Sequence, residues 1–304
     1  MTPASYEVVV PTVGRCSVRD LLRSLEASAG PLPERVWLVF DRPAGDVEEV
    51  RALVPDSLAP RVRVVRGEGR GPAAARNLGW RLCSSEWVAF LDDDVVPAQD
   101  WPARLASDLD ACRAPTAATQ GRVRVPLPED RPPTDWERNV AGLETARWAT
   151  ADMAYRRAVL EEVGGFDERF PRAYREDADL ALRVTSAGYE IQPGDREVAH
   201  PAGRADVWTS VRLQAGNADD PLMHALHGRG WRARAGAPRG RRARHALVSL
   251  CALLGFGGAA ARRGWVVAVG ALGWVTGVAE LTWARVAPGP VRPARSRPWW
   301  LPAP

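Results

Sequence analysis

The sequence predicts an α/β protein in which a mostly parallel sheet is flanked by helices and followed by an apolar helical region. Short apolar runs alternate with segments of helical periodicity through the first half of the chain. Near the C-terminus, Gly-rich apolar segments follow an Arg cluster. At 304 residues the chain is long enough for one large domain with an appendage, or for two domains.

Each element of this fold rests on a local pattern. Buried runs predict strands at Val8–Val10, Val36–Phe40, Val62–Val65, Trp87–Leu91 and Thr119–Val125. Apolar residues at helical spacing predict helices at Ser17–Leu25, Asp46–Leu53, Pro72–Leu82, Trp101–Ala111, Ala154–Val163 and Asp177–Ala187. Ligands bind outside the carboxyl ends of parallel strands. We therefore expect the polar residues that follow these strands to meet at one edge of the sheet.

The most informative stretch is the run of acids at Asp92, Asp93 and Asp94, which directly follows the apolar strand. Burying acids beside a strand is costly unless positive charge compensates. Carboxylate oxygens suit Mg²⁺ or Mn²⁺, and Mg²⁺ is commonly shared between carboxylates and substrate phosphates. The run predicts a metal-dependent enzyme acting on a phosphate-bearing substrate. Taken alone, the same acids are also compatible with a solvated turn.

Charge is unevenly divided along the chain, and all 41 basic residues are Arg. From Arg229 onward there are 13 Arg and one acid, giving +12, whereas the preceding part has 28 Arg and 36 acids, giving −8. Such asymmetry indicates a functional division of the chain. Because apolar segments follow the basic cluster, we expect its partner to be an anionic membrane surface and not nucleic acid.

The chain is expected to divide into a catalytic domain, an Arg-rich linker, an apolar helical hairpin and a Pro/Arg-rich tail, over residues 1–225, 226–245, 246–287 and 288–304. The apolar blocks Ala246–Ala261 and Gly264–Ala279 fall short of the about 20 residues needed for a membrane span. The second reaches Ala284 if Glu280 is tolerated. A hairpin in or on the membrane, two interfacial helices and a soluble helical subdomain all stay open.

The N-terminus and the cysteines bear on the compartment. Residues 1–7 have neither a basic region nor a long apolar core, so no signal peptide is expected. The 4 Cys are scattered and form no CxxC pair, which argues against a structural zinc site and suits a reducing cytoplasm. We expect a cytoplasmic protein that is associated with or anchored in the inner face of the plasma membrane.

Segments with distinctive residues occur in a specific order, at Val8–Arg15, Gly71–Gly79, Phe90–Asp94, Arg156–Glu168 and Arg175–Arg183. In this order they resemble the nucleotide loop, Ala-Arg-Asn helix, metal-binding DxD, acceptor-side turn and Glu-Asp motif of the family 2 glycosyltransferases. The resemblance covers roughly Glu7 to Gly203. It implies the GT-A fold, a Rossmann-like sheet, and inverting transfer of sugar from a nucleotide-sugar donor to a hydroxyl of a glycan, lipid-linked or small-molecule acceptor.

The resemblance also implies roles for individual residues. Contacts with the donor nucleotide are expected from Pro11, Thr12, Arg15, Asp41, Arg76, Asp92 and Asp93. Mg²⁺ or Mn²⁺ is expected on Asp94 and Asp92, with His200 as a further candidate ligand. The acceptor side is expected at Asp152 and Met153. Asp41 stands where the family usually has a pair of acids, so the base that it reads stays open, as does its role as a turn residue.

Asp177 is the expected general base, because transfer to a hydroxyl needs a carboxylate to accept the acceptor proton. Glu176 and Asp179 are the competing choices. A position at a helix N-terminus should keep the pKa of Asp177 low. Two other functions are considered: a nucleotidyltransferase-like enzyme, for which the chain lacks a Gly-rich loop with Lys, and a catalytically degenerate nucleotide-sugar-binding scaffold, against which the retained acids argue.

Overall fold

The computed structural model describes residues 4–206, 208–238 and 240–289. The chain forms two compact units, one of residues 1–126 and 140–237 and one of residues 127–139 and 238–304. The first unit includes Trp231, which is fully buried. Residues 290–304 of the expected Pro/Arg-rich tail lie outside the described residues.

Within the described residues the first unit contains an eight-stranded sheet of spatial order β3-β2-β1-β4-β7-β6-β8-β5. Its strands, in chain order, are β1 Tyr6–Thr12, β2 Val36–Phe40, β3 Val62–Arg66, β4 Trp87–Leu91, β5 Val96–Pro97, β6 Thr116–Arg124, β7 Asp152–Arg156 and β8 Glu190–Ala199. The β1–β2, β1–β4, β2–β3 and β6–β8 pairs are parallel. β7 runs antiparallel to β4 and β6, and β5 to β8. The predicted α/β class with a mostly parallel sheet is confirmed.

Helices follow or separate these strands along the chain. The α-helices are α1 Ser17–Glu26, α2 Val47–Arg51, α3 Pro72–Leu82, α4 Trp101–Ala111, α5 Asp135–Ala141, α6 Arg157–Val163, α7 Glu176–Ser186, α8 Thr209–Arg212, α9 Asp220–His227, α10 Trp231–Arg234, α11 Arg242–Ala260 and α12 Gly264–Val286. Short 3₁₀ helices lie at Gly142–Thr145 and Leu213–Asp219. The buried face of α1 consists of the apolar residues that predicted it, Val18, Leu21, Leu22 and Leu25.

One predicted helix begins later than expected. The spacing predicted a helix from Ala154 to Val163, but residues Asp152–Arg156 form β7 and the helix begins at Arg157. β7 pairs with β4 on one side and β6 on the other, so strand pairing overrides the local helical spacing. No range was predicted for β8, whose pattern is interrupted by Pro193 and Gly194.

The sheet geometry brings distant residues together. β1, β2 and β4 run parallel, so their carboxyl ends lie at the same edge. The main core packs α3, α6 and α7 against the sheet through residues such as Phe90, Tyr155, Leu160 and Leu180. The residues that follow β1, β2 and β4 are therefore held by strands that end in this closely packed core.

The second unit is dominated by α11 and α12, which pack against each other through glycines. A Cβ atom on Gly270 would lie 2.4 Å from the backbone nitrogen of Gly255, and one on Gly277 would lie 2.3 Å from Val248 Cγ2. Glu280, the acid within the apolar sequence, forms an ion pair with Arg244. Both helices are long and apolar enough to cross a membrane by length and composition alone.

Candidate active site

The acids in the loop after β4 form hydrogen bonds with residues of β1 and of the loop that follows β1. Asp93 accepts a hydrogen bond from the Thr12 hydroxyl at 2.6 Å and another from Arg15 Nη1 at 3.0 Å. The same Arg15 nitrogen donates to Asp94 Oδ2 at 2.9 Å. Thr12 ends β1, and Pro11 precedes it in the strand, so the predicted nucleotide loop and the acidic run meet at this edge.

A group of side chains with the chemistry of a divalent-cation site lies beside this loop. Asp92, Asp94 and His200 each offer a ligand atom, and these atoms all lie within 4.8 Å of one another. His200 follows β8, and its buried Nδ1 has no hydrogen-bond partner among the described residues. Burial raises the pKa of Asp94, and the charge of Asp92 raises it further. The two carboxylates supply the hard oxygen ligands that Mg²⁺ and Mn²⁺ prefer, and the imidazole of His200 offers a further nitrogen.

Arg76 is a buried residue that joins two of the acids. Its guanidinium donates to Asp92 Oδ1 at 2.8 Å and to Glu176 Oε1 at 2.9 Å, and only 2% of its side chain is exposed. The ring of Phe166 lies 5.5 Å from the guanidinium carbon. The sequence assigned Arg76 to the donor, whereas the structure engages both of its terminal nitrogens with protein carboxylates. Arg76 thereby joins the acids after β4 to those at the start of α7.

Glu176 and Asp177 lie side by side in the first turn of α7. Burial and the neighbouring Asp177 raise the pKa of Glu176 to about 8. Burial also raises the pKa of Asp177, with a further contribution from Asp92. The expected low pKa of Asp177 is therefore wrong, because desolvation outweighs its hydrogen bond from the Ala178 amide and its place at the helix N-terminus.

Asp41 follows β2 and shapes the loop that leads into α3. Its two carboxylate oxygens accept hydrogen bonds from the backbone N–H groups of Gly69 and Gly71, each at 2.7 Å. Each oxygen keeps a second lone pair that can accept from a ligand. Asp41 therefore orders the loop before α3. This is the turn role that the sequence left open beside nucleotide binding.

The Ala-Arg-Asn helix is locked to the turn after α6 through its asparagine. Asn77 donates to the Phe166 carbonyl at 2.8 Å and accepts from the Phe166 N–H at 2.9 Å. Gly165 adopts φ +70, and a Cβ there would lie 2.5 Å from Asn77 Oδ1. Only glycine fits such a close approach at positive φ. Two of the motifs identified by resemblance are therefore one structural unit.

The predicted acceptor residues pair with the last residues of β4, but their side chains do not reach the surface. Asp152 and Met153 are both fully buried in β7. Asp152 accepts hydrogen bonds from Arg196 Nε at 2.7 Å and from Trp101 Nε1 at 2.8 Å. This pair with Arg196 occupies the carboxylate inside the fold, so neither side chain has an exposed surface for an acceptor. Sequence alone does not reveal it, because Arg196 lies on a strand whose range was not predicted.

Asp179, the other competing base, is also engaged inside the fold. Its side chain is fully buried and lies 2.7 Å from Arg183 Nη2 and 2.7 Å from His227 Nε2. Asp179 thus ties α7 to α9. Of the acids in the Glu-Asp motif, Asp177 is the one left partly exposed beside the acidic loop.

Comparison with known proteins agrees with these motifs. Residues 7–179, more than half of the 304-residue chain, match the family model for Glycosyl transferase family 2. The chain therefore belongs to glycosyl transferase family 2. This confirms the resemblance that the sequence predicted.

Two curated relatives and two solved structures resemble parts of the chain. The pre-mycofactocin glycosyltransferases of Mycobacterium tuberculosis strains CDC 1551 / Oshkosh and ATCC 25618 / H37Rv are each 29% identical over 136 residues. That match covers 40% of this chain and only 28% of either relative. S. aureus TarS shares 17% identity at a TM-score of 0.44, covering 71% of this chain and 39% of TarS. The structure of S. aureus TarS 1–349 in complex with UDP-GlcNAc shares 17% sequence identity at a TM-score of 0.47. That match covers 66% of this chain and 60% of the TarS chain.

Proposed function

We propose that this protein transfers a sugar from a nucleotide-sugar donor to an acceptor hydroxyl with inversion, and that the reaction depends on a divalent cation. The observation that carries the proposal is the bridge made by Arg76. It connects Asp92, which belongs to the candidate cation group, with Glu176, which adjoins the candidate base. Groups far apart in sequence thus converge at one edge of the sheet, as single displacement requires.

The donor side is built from the ends of β1, β2 and β4. Pro11, Thr12 and Asp41 line the strand ends where the nucleotide is expected. Arg15 is 55% exposed and contacts Asp93 and Asp94, so its guanidinium can turn toward a bound diphosphate. A cation held by Asp92, Asp94 and His200 would neutralise charge on the leaving diphosphate. The bound cation and Arg15 together would favour cleavage of the sugar–phosphate bond.

The acceptor side is built on the start of α7. In the proposed reaction Asp177 accepts the proton of the acceptor hydroxyl as that oxygen attacks the anomeric carbon, and the nucleoside diphosphate leaves from the opposite face. The raised pKa of Asp177 suits a base, because it brings proton affinity closer to that of the reacting group. Glu176, which precedes the base, is held in place by its hydrogen bond from Arg76.

We also propose that α11 and α12 hold the protein at a membrane, with a lipid-linked or other membrane-proximal acceptor. Large apolar side chains on these helices are exposed, including Phe256 at 76% and Trp283 at 73%. Trp265 and Trp283 lie eighteen positions apart on α12. At 1.5 Å per residue they are separated by about 27 Å, close to a bilayer's hydrocarbon thickness. Trp residues commonly lie at both membrane interfaces.

The distribution of Arg supports one orientation. The stretch from Arg229 to Arg244 carries seven Arg, whereas the connection between α11 and α12 carries only Arg262 and Arg263. The positive-inside bias then favours a cytoplasmic catalytic unit, where nucleotide sugars are made. Carbonate extraction of membranes containing the full chain tests this proposal. A protein released by carbonate without detergent would argue for a peripheral or soluble one.

Donor turnover tests the proposed chemistry. Purified protein is incubated with UDP-GlcNAc, UDP-glucose or GDP-mannose and Mg²⁺ or Mn²⁺, and nucleotide release is measured. Asp177→Asn should lower kcat by about 10²–10⁴-fold while donor binding persists. Undiminished transfer in that variant would remove Asp177 from its role. Binding of a nucleotide sugar by the wild type without any turnover would favour a degenerate scaffold.

A further inference from the structure

The residue before the Glu-Asp pair has an unusual backbone. Arg175 adopts φ 77 and ψ −19, the left-handed region, and α7 begins at the next residue. Side chains other than glycine rarely adopt this conformation, and when they do the surrounding structure must enforce it. Strained residues of this kind cluster at functional sites. The contacts of Arg175 therefore indicate what holds the start of α7, where Glu176 and Asp177 lie.

The guanidinium of Arg175 is clamped between two aromatic rings and an acid. Its guanidinium carbon lies 4.2 Å from the centroid of the Tyr174 ring and 4.8 Å from that of Trp231. Its Nε donates to Asp220 Oδ1 at 3.1 Å, and its Nη2 donates to the Tyr174 hydroxyl at 2.7 Å. Trp231 is fully buried and Asp220 is 6% exposed, so the clamp is part of the protein interior.

A second ion pair ties the same segment to the same place. Arg172 Nη1 donates to Asp219 Oδ1 at 3.1 Å. Asp219 and Asp220 are consecutive residues at the beginning of α9, and Arg232 on α10 also pairs with Asp220. The segment from Arg172 to Arg175 is thus fastened at both ends by neighbouring carboxylates.

The elements that supply the clamp also cover α7 itself. Ala178 and Leu182 of α7 pack in a separate apolar cluster with Met223 of α9 and Trp231 of α10. These two short helices lie C-terminal to residue 179, where the family match ends. The part of the chain beyond the family match therefore holds both the strained residue and the helix that carries the candidate base.

We infer that Arg175, clamped by Tyr174, Trp231 and Asp220, is a positioning residue that fixes Asp177 where it can accept the proton of the acceptor hydroxyl. The inference rests on the proposed role of Asp177. The donor contacts proposed above lie on other elements, at the ends of β1, β2 and β4, and the remaining candidate cation ligand, His200, follows β8. Loosening the clamp should therefore affect the chemical step and leave donor binding unchanged. A displacement of about 1 Å in a reacting group can cost about 10²-fold in rate.

Arg175→Gly separates the backbone conformation from the clamp. Glycine adopts positive φ without a steric cost, so the variant permits the native backbone while removing the guanidinium. Arg175→Lys keeps the charge but loses the planar group that stacks on the rings. Asp206→Asn is the matched control, because it weakens a solvent-exposed pair with Arg212 in the same part of the chain. The readouts are kcat, donor KM and Mn²⁺-dependent donor binding by calorimetry.

We expect Arg175→Gly to lower kcat by about 10- to 100-fold with donor KM and donor affinity unchanged. Arg175→Lys should recover part of the loss, and Asp206→Asn should behave as wild type. A wild-type kcat in Arg175→Gly would overturn the inference. So would a parallel loss of donor affinity, because it would indicate general disruption and not positioning.

Hydrogen exchange tests the clamp without relying on turnover. Backbone amides of residues 176–179 should exchange at least about tenfold faster in Arg175→Gly than in wild type, and at the wild-type rate in Asp206→Asn. Equal exchange in all proteins would refute the clamp. A wild-type protein that turns over no donor, but shows this exchange pattern, would refute the proposed function and not the clamp.

Discussion

Replacing Asp152 by alanine should destabilise the catalytic unit and leave the chemistry of the folded protein intact. Both Asp152 and Arg196 are fully buried, and the two side chains form an ion pair with an N–O distance of 2.7 Å. The variant leaves the Arg196 charge inside the fold with fewer partners. Resemblance placed Asp152 on the acceptor side, so the measurement decides between a structural and a substrate-binding role.

The size of the effect follows from what Arg196 keeps. Removing one member of a buried ion pair costs about 3–5 kcal/mol. Arg196 retains an ion pair with Asp108 at 3.0 Å and a hydrogen bond to the Thr119 carbonyl at 2.8 Å. We therefore expect the lower end, about 3 kcal/mol. At about 2–4 °C per kcal/mol for a unit of this size, Tm should fall by about 6–12 °C.

Differential scanning fluorimetry of the purified protein measures this change, with transfer rates taken well below the lowered Tm. Asp195→Ala is the control, because its pair with Arg122 is mostly exposed and contributes about 1 kcal/mol or less. Asp152→Asn should lose less stability than Asp152→Ala, because its amide oxygen still accepts a hydrogen bond from Arg196 or Trp101. An unchanged Tm combined with a loss of transfer in Asp152→Ala would refute the structural role.

Three further outcomes test other parts of the structure. Chelation with EDTA should abolish transfer, and added Mn²⁺ or Mg²⁺ should restore it. Asp94→Asn should raise the cation concentration that gives the half-maximal rate by more than about tenfold. Transfer that is unaffected by EDTA would contradict the cation site. Because burial raises the pKa of Asp177, this base should become protonated at a higher pH than an ordinary Asp carboxyl, whose pKa is about 3.9. The rate should therefore rise with pH through the raised pKa of Asp177, and a rate that is already maximal at the ordinary Asp pKa would argue against this role. Gly270→Leu should destabilise the packing of α11 against α12 in detergent by about 1–3 kcal/mol. Gly257→Leu is the control and should not, because a Cβ atom at Gly257 would have no neighbour within 4 Å. Equal melting temperatures of the two variants would refute the glycine packing.

Local sequence determined most of the elements and the edge where the site lies. The strands Val36–Phe40 and Trp87–Leu91 and the helices Pro72–Leu82 and Trp101–Ala111 have the bounds that their apolar patterns predicted. Strands buried on both faces and helices with one apolar face carry their signal in adjacent residues. The parallel order of β1, β2 and β4 then brought Thr12, Asp41 and the acidic run together, as expected from the strand–helix alternation.

Tertiary structure alone decided the features that depend on distant partners. Asp152 forms an interior ion pair because the sheet places β8, which carries Arg196 44 residues away, on the far side of β6 from β7. Arg76 became a bridge between carboxylates, and Asp177 acquired a raised pKa, because burial and surrounding charges are set by packing. The left-handed Arg175 has no local signal either, since Trp231 and Asp220 hold it from far along the chain. Periodicity reports which residues are buried, and only the folded chain determines what each buried group contacts.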